Sequence, residues 1–364
     1  MLFLCLISAS CTSPPPQTKP SATNHQASNS KVQSILRDPL FARGVRHGNG
    51  NTYPGKMDRA CRDRWNRRLE GLGEAVWRFT EIAEKTYFCE NPNTPTLDKD
   101  RLIYESKDRS KRFMIRLDGS GTVRYLFDSS KEWRQGCQLN LPNEKAEKPV
   151  FGSEHWNWCH FLVGQPLADD HDEAGKVRFE RYGDIRFQAR VKLNDIARSG
   201  PECEERDGVP NHALFYIGFV LKRKAWTWTR PRTFYALVNA FYSKDGENHH
   251  EVAPWLGSDP VHAAVFFSPG YPALVRGTEV DYNVSVKTVA NRAITAYNEK
   301  HKTSVLLEDY TLSGILIGWE IWGGYRTDVE MRGLALNGIE SKTGSGKRCQ
   351  DDFLDLAGHD GNLK

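Results

Sequence analysis

The most regular hydrophobic pattern in the chain is an alternation of apolar and polar residues over 182–193. The apolar positions are Ile185, Phe187, Ala189, Val191 and Leu193, and the polar positions are Asp184, Arg186, Gln188, Arg190 and Lys192. A period of two residues is typical of a strand that is buried on one side. The sequence therefore predicts a strand here, with one face in the core and the other in solvent.

Further apolar segments of strand length follow, separated by glycine, proline and charged turns. They are 213–221, 233–242, 263–267, 280–289, 312–322 and 327–336. A segment with helical periodicity at 289–299 interrupts the series. This many strands with long connections predicts a mainly β protein, with a jelly-roll β-sandwich over 151–337.

The chain before the sandwich has a different pattern. Apolar residues at three- and four-residue steps predict a helix over 56–88. Strand-like segments follow at 101–106, 112–117 and 122–127. The link Asp118-Gly-Ser-Gly121 is typical of a hairpin turn. We therefore expect a small α+β unit over 35–148, ahead of the sandwich, and a flexible tail over 338–364.

The composition is that of a folded protein and narrows its partners. The hydrophobic fraction is 39% and the charged fraction 26%, an ordinary balance for a globular chain. Lys and Arg total 50 against 46 Asp and Glu, which leaves a net charge of +4. A balance so near neutral argues against binding nucleic acid through a massed basic surface.

The N-terminal residues 1–11 form a short apolar run that ends in small residues and Cys11. The run resembles the end of a bacterial lipoprotein signal peptide with Cys11 as the lipidated residue, although Ser8 stands where leucine is usual and no basic n-region precedes it. A plain secretory signal, or an apolar tail without a targeting role, is the alternative. Residues 12–34 are polar and proline-rich, typical of a disordered tether. We expect an exported protein, in the cell envelope or extracellular, that meets the membrane through a lipid anchor only.

The cysteine count agrees with export. Of 8 cysteines, Cys5 would leave with the signal and Cys11 would carry lipid. The remaining candidates for disulfides are Cys61, Cys89, Cys137, Cys159, Cys203 and Cys349. Their pairing stays open, with Cys61–Cys89 and Cys137–Cys159 as two possibilities. A zinc site would require close pairs such as Cys-x-x-Cys, and the sequence contains none.

Four stretches of the second half carry a resemblance to a known group. They are His155-Trp-Asn-Trp-Cys-His-Phe-Leu-Val-Gly-Gln165, Tyr182-Gly-Asp-Ile-Arg-Phe-Gln-Ala-Arg-Val-Lys192, Phe234-Tyr-Ala-Leu-Val-Asn-Ala-Phe-Tyr242, and Ile317-Gly-Trp-Glu-Ile-Trp322 followed by Asp328-Val-Glu-Met-Arg332. Over about 155–336 the chain resembles secreted bacterial β-sandwich proteins of the concanavalin A-like and carbohydrate-binding kind. The resemblance implies the sandwich and a role with carbohydrate, and its motifs are structural rather than catalytic.

Aromatic and amide side chains of the sandwich are candidates for binding a sugar. Sugar C–H faces stack on aromatic rings, and sugar hydroxyls need planar polar partners. The candidates are Trp226, Trp228, Tyr235, Asn239, Tyr242, His250 and Trp255. The cations of 222–232 would suit an acidic polysaccharide. Core packing is the alternative for any single tryptophan here.

Catalytic residues remain unknown from the sequence. A glycosidase needs two carboxyls about 5 to 9.5 Å apart, whereas the segment 319–322 offers only Glu320. Arg186, Gln188 and Arg190 are similar to the Arg-x-Glu-x-Arg strand of jelly-roll alginate lyases and could bind a uronate, or they could form a charged outer strand face. We therefore expect a glycan-binding protein without catalytic activity. A polysaccharide lyase or glycoside hydrolase is the first alternative, and a structural domain of the cell envelope the second.

One acidic segment could hold a metal. Residues 169–173 read Asp-Asp-His-Asp-Glu, which could bind a structural Ca²⁺ or form a solvated turn. No other cofactor is expected.

Overall fold

The computed structural model describes residues 31–47, 74–82, 88–131, 159–167, 176–200, 211–225, 231–244, 247–249, 256–258 and 263–340. The strands, in chain order, are β1 (Val32–Ser34), β2 (Val45–His47), β3 (Trp77–Ile82), β4 (Thr96–Asp98), β5 (Arg101–Glu105), β6 (Lys111–Arg116), β7 (Val123–Asp128), β8 (Cys159–Pro166), β9 (Val177–Arg178), β10 (Tyr182–Arg198), β11 (His212–Arg223), β12 (Thr233–Lys244), β13 (Glu247–His249), β14 (Leu256–Ser258), β15 (Ala263–Ser268), β16 (Glu279–Ser285), β17 (Tyr310–Trp322) and β18 (Tyr325–Glu340). The helix α1 is Val286–His301. None of the helices in this described part is long and apolar enough to cross a membrane.

The strands form two sheets that face each other. The first has the order β16-β10-β18-β7-β6-β5-β4, with β1 paired to β18, and the second has the order β14-β15-β12-β11-β17-β8-β3-β2, with β13 on β12 and β9 on β17. The pairs are antiparallel except β12 with β15 and β2 with β3. The prediction of a mainly β sandwich is confirmed.

The alternating segment 182–193 forms a strand with one buried face and one face in solvent, as predicted. Ile185, Phe187, Val191 and Leu193 of β10 are fully buried, and Gln188 on the opposite face is exposed. Each apolar side chain therefore contributes to the space between the two sheets, where burial is worth about 1.5–3 kcal/mol per large aliphatic or aromatic residue.

The segment predicted as a strand over 280–289 divides into a strand and a helix. β16 ends at Ser285, and α1 begins at Val286. The Ser285 hydroxyl accepts a hydrogen bond from the backbone N–H of Thr288 at 3.3 Å, so serine acts as the N-cap. The predicted helical segment at 289–299 is confirmed and is longer than expected.

The predicted helix over 56–88 is wrong at its C-terminal part. Residues Trp77–Ile82 form β3, which pairs antiparallel with β8 and parallel with β2. Trp77 and Phe79 are buried in the core, with Arg78 between them on the other side of the sheet. The backbone partners supplied by two neighbouring strands decide this conformation, against the local periodicity. The remainder of the segment, 56–73 and 83–87, lies outside the described residues.

The strands of the N-terminal segment belong to the same two sheets as those of the jelly roll. β7 pairs with β18 in the register Tyr125 to Val329, and β3 pairs with β8 in the register Phe79 to Val163. Their buried residues join one hydrophobic cluster with those of β10, β11 and β17. The segment expected as a small α+β unit therefore builds part of both layers of the sandwich.

A turn near the N-terminus closes one part of this core. The Phe41 ring stacks on Trp77 at 4.3 Å between centroids, and both side chains are fully buried. Asp38 accepts hydrogen bonds from the backbone N–H groups of Ala42 and Arg43, at 2.9 and 3.0 Å. These bonds hold the turn that directs Phe41 into the sandwich.

An ion pair bridges the two sheets inside the core. Lys111 of β6 and Glu81 of β3 are fully buried, and Lys111 Nζ donates to Glu81 Oε1 at 2.6 Å. Lys111 Nζ also lies 5.6 Å from the centroid of the Phe88 ring. A close opposite charge and an aromatic face both compensate a buried ammonium group.

One disulfide candidate lies in the core of the sandwich. Cys159 is fully buried at the start of β8. The Cys159 side chain points between the sheets, where it packs as a small apolar group. Cys89 is disulfide-bonded. Cys61, Cys137, Cys203 and Cys349 lie outside the described residues, so the pairing stays a prediction.

Candidate functional site

The second sheet has a face that points away from the core, and we call it the outer face. Along β8, β17, β11, β12 and β15 the residues alternate between the core cluster and this face. The large or polar side chains described on it are His160, Leu162, Leu214, Tyr216, Tyr235, Leu237, Asn239, Tyr242, Phe267, Leu316 and Glu320. The face therefore combines aromatic rings, leucines and a few polar groups.

The centre of the outer face is a small apolar cluster. Leu162, Leu214, Tyr216, Leu237 and Phe267 form it, and Tyr235, Tyr242 and Val265 pack against it. Gly218 lies under one of the leucines, because a Cβ at this glycine would come within 2.7 Å of Leu237 Cδ2. The absence of a side chain at Gly218 therefore lets Leu237 lie across β11.

A carboxylate and a histidine meet at one end of this cluster. Glu320 of β17 and His160 of β8 stand opposite each other in the ladder, and Glu320 Oε2 lies 3.0 Å from His160 Nε2. Both side chains are buried. Among the side chains described on the outer face, Glu320 is the one carboxylate.

Tyr216 lies beside this pair. Burial raises the pKa of the Tyr216 phenol well above its usual range, and the nearby Glu320 and Tyr235 raise it further. The phenol therefore stays protonated and keeps a hydroxyl hydrogen that it can donate.

Asn239 provides an acceptor next to Tyr216. The two residues are directly opposite in the β11–β12 ladder. The Asn239 side chain is half-buried, yet its Oδ1 is shielded from solvent and has no hydrogen-bond partner in the described part of the chain. A buried acceptor without a hydrogen bond costs roughly 1–3 kcal/mol, so a ligand that donates to it gains binding free energy.

Tyr242 stands near the same end of the sheet. It lies opposite Leu214 in the ladder, and its ring centroid is 6.0 Å from that of His212. Tyr235, Asn239 and Tyr242 are half-buried, whereas Tyr216, Glu320 and His160 are buried. The three half-buried residues of β12 are therefore the part of the site that keeps exposed surface.

The structure separates the predicted sugar-binding residues into two groups. Tyr235, Asn239 and Tyr242 share the outer face of the second sheet. Arg186, Gln188 and Arg190 lie on β10 of the first sheet, on the face turned away from the core. Since facing sheets lie about 10 Å apart with the core between them, the two groups are on opposite sides of the sandwich. Trp226, Trp228, His250 and Trp255 lie outside the described residues, as does the acidic segment 169–173.

The solvent face of the first sheet is occupied by ion pairs. Arg186 Nε lies 2.5 Å from Asp184 Oδ2, and the Arg332 guanidinium donates to both oxygens of Glu279 at 2.9 and 2.7 Å. Arg124 pairs with Asp328 in the same way. Several of the cations on this face are thus neutralised within the sheet, which supports the alternative of a charged outer strand face.

Three residues of the site were not among the predicted ones. His160 and Tyr216 lie in strands whose outer face is also buried, so their segments show a continuous apolar run and no alternation. Glu320 was considered only as half of a carboxyl pair. The pairing of Glu320 with His160 depends on the β17–β8 register, and no local sequence signal records it.

The fold and this face define a two-sheet β-sandwich with a mixed aromatic and polar outer surface. No family model and no curated protein matches the sequence. Similar solved structures include a metagenome-derived glycoside hydrolase family 12 endoglucanase, with 8% identity, a TM-score of 0.36, and coverage of 73% of this chain and 99% of that chain. Endoglucanase Cel12A from Rhodothermus marinus has 7% identity, a TM-score of 0.33, and coverage of 71% and 97%.

A third similar structure was solved with a sugar bound. It is the xyloglucanase domain of NopAA, a type three effector from Sinorhizobium fredii, in complex with cellobiose. It has 7% identity, a TM-score of 0.31, and coverage of 71% of this chain and 97% of that chain.

Proposed function

We propose that the chain binds a saccharide on the outer face of its second sheet, without catalysing a reaction on it. The observation that carries this proposal is the placement of Tyr235, Asn239 and Tyr242 along one side of β12. These residues keep exposed surface above buried neighbours. Two rings for stacking and an amide for a hydroxyl are the groups that a sugar requires.

The residues beneath give this surface a defined shape. Tyr242 and Tyr235 pack against the apolar cluster of the outer face, which limits the rotation of their rings. A ring held in place before binding loses less entropy when a sugar stacks on it. The site therefore favours a chain with flat, weakly polar faces over a globular protein partner.

A glycoside hydrolase is the second candidate, and Glu320 is the observation that favours it. A buried carboxylate on a sheet face that binds sugar could serve as an acid or a nucleophile. The mechanism needs a second carboxyl about 5 to 9.5 Å away, and the side chains described on the outer face supply Glu320 alone. Saccharide binding without catalysis therefore fits the described residues better, because it requires no second carboxyl group.

The lyase alternative receives less support from the geometry. It requires Arg186, Gln188 and Arg190 to share a cleft with a histidine or tyrosine base. His160, Tyr216 and Tyr242 are on the other sheet. Tyr271 lies near Arg186 and Asp184, and burial raises the pKa of its phenol, but Arg186 is already paired with Asp184. Export and attachment through Cys11 remain part of the proposal on the sequence pattern alone, since residues 1–30 lie outside the described part.

The binding proposal predicts that Tyr242→Ala weakens saccharide binding by about tenfold, because one stacked ring contributes roughly 0.5–1.5 kcal/mol beyond its buried area. Affinity electrophoresis of the full chain through gels with hydroxyethyl cellulose, xyloglucan, galactomannan or alginate measures this effect. Gln188→Ala is the matched control, since it removes a predicted sugar ligand from the opposite sheet.

Retardation of the wild type that persists in Gln188→Ala and falls in Tyr242→Ala supports the outer face as the site. Loss in Gln188→Ala alone, or no retardation in any gel, would contradict the proposal. The wild type could also release new reducing ends from a polymer that retards it. If Glu320→Gln abolished this release, the function would be hydrolysis and not binding alone. Ultraviolet absorbance from unsaturated uronates released into solution would indicate a lyase instead.

A further inference from the structure

We propose that Asn239 selects the ligand of the outer face, by accepting a hydrogen bond from an uncharged hydroxyl group, and that the site discriminates against saccharides carrying carboxylates. This inference rests on the proposed function of saccharide binding. The sequence favoured an acidic polysaccharide as the ligand, whereas this inference predicts an uncharged one.

The Asn239 side chain holds an acceptor atom that the described residues leave unsatisfied. Its Oδ1 has no hydrogen-bond partner in the described part of the chain and is shielded from solvent, although the side chain as a whole is half-buried. The terminal torsion of asparagine is soft, so the amide can turn and present this oxygen at the exposed side. A ligand hydroxyl that donates to the turned amide then satisfies an acceptor that has no partner in the described part of the chain.

A tyrosine lies beside Asn239, and a carboxylate lies further across the sheet. Tyr216 lies opposite Asn239 on β11, and Glu320 lies two strands away on β17, beyond Gly318. Strand spacing and rise place the Cα atoms of Asn239 and Glu320 about 12 Å apart. The charged group described nearest to the amide on this face is therefore an anion.

Arg78 and Lys222 are cations described on the same face. Arg78 is on β3, and β8, β17 and β11 separate it from β12, which places it roughly 19 Å away. Lys222 is on β11, six residues along the strand from Tyr216, and therefore roughly 20 Å away. Neither Arg78 nor Lys222 is in reach of a uronate carboxylate whose sugar contacts Asn239. Lys244, at the end of β12, stands opposite His212, four residues along β11 from Tyr216 and therefore roughly 14 Å away.

These positions define a site with neutral donors and acceptors and one nearby carboxylate. A carboxylate ligand requires positive charge as well as donors to replace its hydration, whereas the groups described near Asn239 offer a phenol, an amide and the Glu320 carboxylate. A hydroxyl both donates and accepts, so it can satisfy Asn239 and receive the proton of a tyrosine or of the Asn239 amide. The geometry therefore points to a polyhydroxylated, uncharged chain.

Two substitutions of similar size test the role of Asn239. Asn239→Asp keeps an oxygen acceptor at the same place, and Asn239→Leu removes it. With hydroxyethyl cellulose as the probe, we expect Asn239→Leu to weaken binding roughly tenfold or more and Asn239→Asp to bind within about threefold of the wild type. Thermal melting of both variants checks that the fold is retained.

The second arm compares hydroxyethyl cellulose with alginate. We expect the wild type to bind the uncharged polymer at least about tenfold more tightly. Alginate binding that equals or exceeds this, or unchanged binding by Asn239→Leu, would overturn the inference. If alginate binds more tightly and Tyr242→Ala still weakens it, the proposed function stands and only the selectivity fails. If no polymer binds, both fail.

Discussion

Glu81→Gln is expected to destabilise the protein by roughly 3–5 kcal/mol, the range typical of removing one partner from a buried ion pair. The substitution removes the carboxylate that Lys111 Nζ contacts at 2.6 Å, in a part of the core where both side chains are fully buried. Because β3 and β6 belong to different sheets, the substitution weakens the packing of one sheet against the other. Chemical denaturation followed by tryptophan fluorescence measures the free energy of unfolding.

A double variant distinguishes the effect of an unpaired buried charge from the effect of changed side-chain volume. Glu81→Leu combined with Lys111→Met replaces the pair by apolar side chains of similar size, and such replacements are often neutral or stabilising. We therefore expect the double variant to be more stable than Glu81→Gln. Glu340→Gln, which removes the exposed partner of Lys31, is the control and should leave the unfolding midpoint unchanged. A Glu81→Gln protein as stable as the wild type would show that the pair does not hold the sheets together.

Phe41→Ala is expected to cost about 3–5 kcal/mol, because it removes a fully buried ring from the core. The ring stacks on Trp77, and its backbone is in the left-handed region at a φ of 55°. This conformation is unfavourable for a residue with a side chain, by roughly 1–2 kcal/mol. The packing of Phe41 and the hydrogen bonds that Asp38 accepts from Ala42 and Arg43 outweigh that cost.

The neighbouring residue provides the control for this prediction. Leu40 is 45% exposed, so Leu40→Ala should change the free energy of unfolding by less than about 0.5–1 kcal/mol. Comparable effects of the two substitutions would contradict the assignment of Phe41 to the core. A large effect of Phe41→Ala on the whole unfolding transition would show that the N-terminal segment unfolds together with the jelly roll.

Glu81→Gln and Phe41→Ala both report whether the N-terminal segment shares one core with the jelly roll. Both variants lie in the segment that the sequence pattern assigned to a separate unit, and both act on contacts with the second sheet. If the segment folded independently, each variant would melt it alone and leave a second transition at the wild-type midpoint. A single shifted transition is the result expected from a shared core.

Strands buried on one side could be recognised from the sequence. β10 alternates cleanly because one face packs between the sheets and the other meets water. β5, β6 and β7 alternate for the same reason, and their predicted bounds are correct to within one or two residues. The helical segment predicted over 289–299 is also correct and lies within α1, whose buried residues recur at three- and four-residue steps.

Other elements depend on partners that are distant in the chain. Trp77–Ile82 fits a helical stripe and a strand equally well, and pairing with β8 decides between them. The candidate residues Tyr235, Asn239 and Tyr242 were chosen by residue type, and Arg186, Gln188 and Arg190 by a motif. Nothing local shows that these two groups lie on opposite sides of the sandwich.

The amino-acid pattern therefore specifies a mainly β chain with two faces to its strands, since burial on one side leaves a period of two in the residues themselves. The tertiary structure decides which strands are neighbours, and hence that Glu320 meets His160 and that Asn239 stands beside Tyr216. The physical reason is that strand pairing is set by backbone hydrogen bonds between segments far apart in the chain. Those bonds involve backbone N–H and C=O groups, which are nearly the same in every residue, so the side-chain sequence does not show which strands will pair.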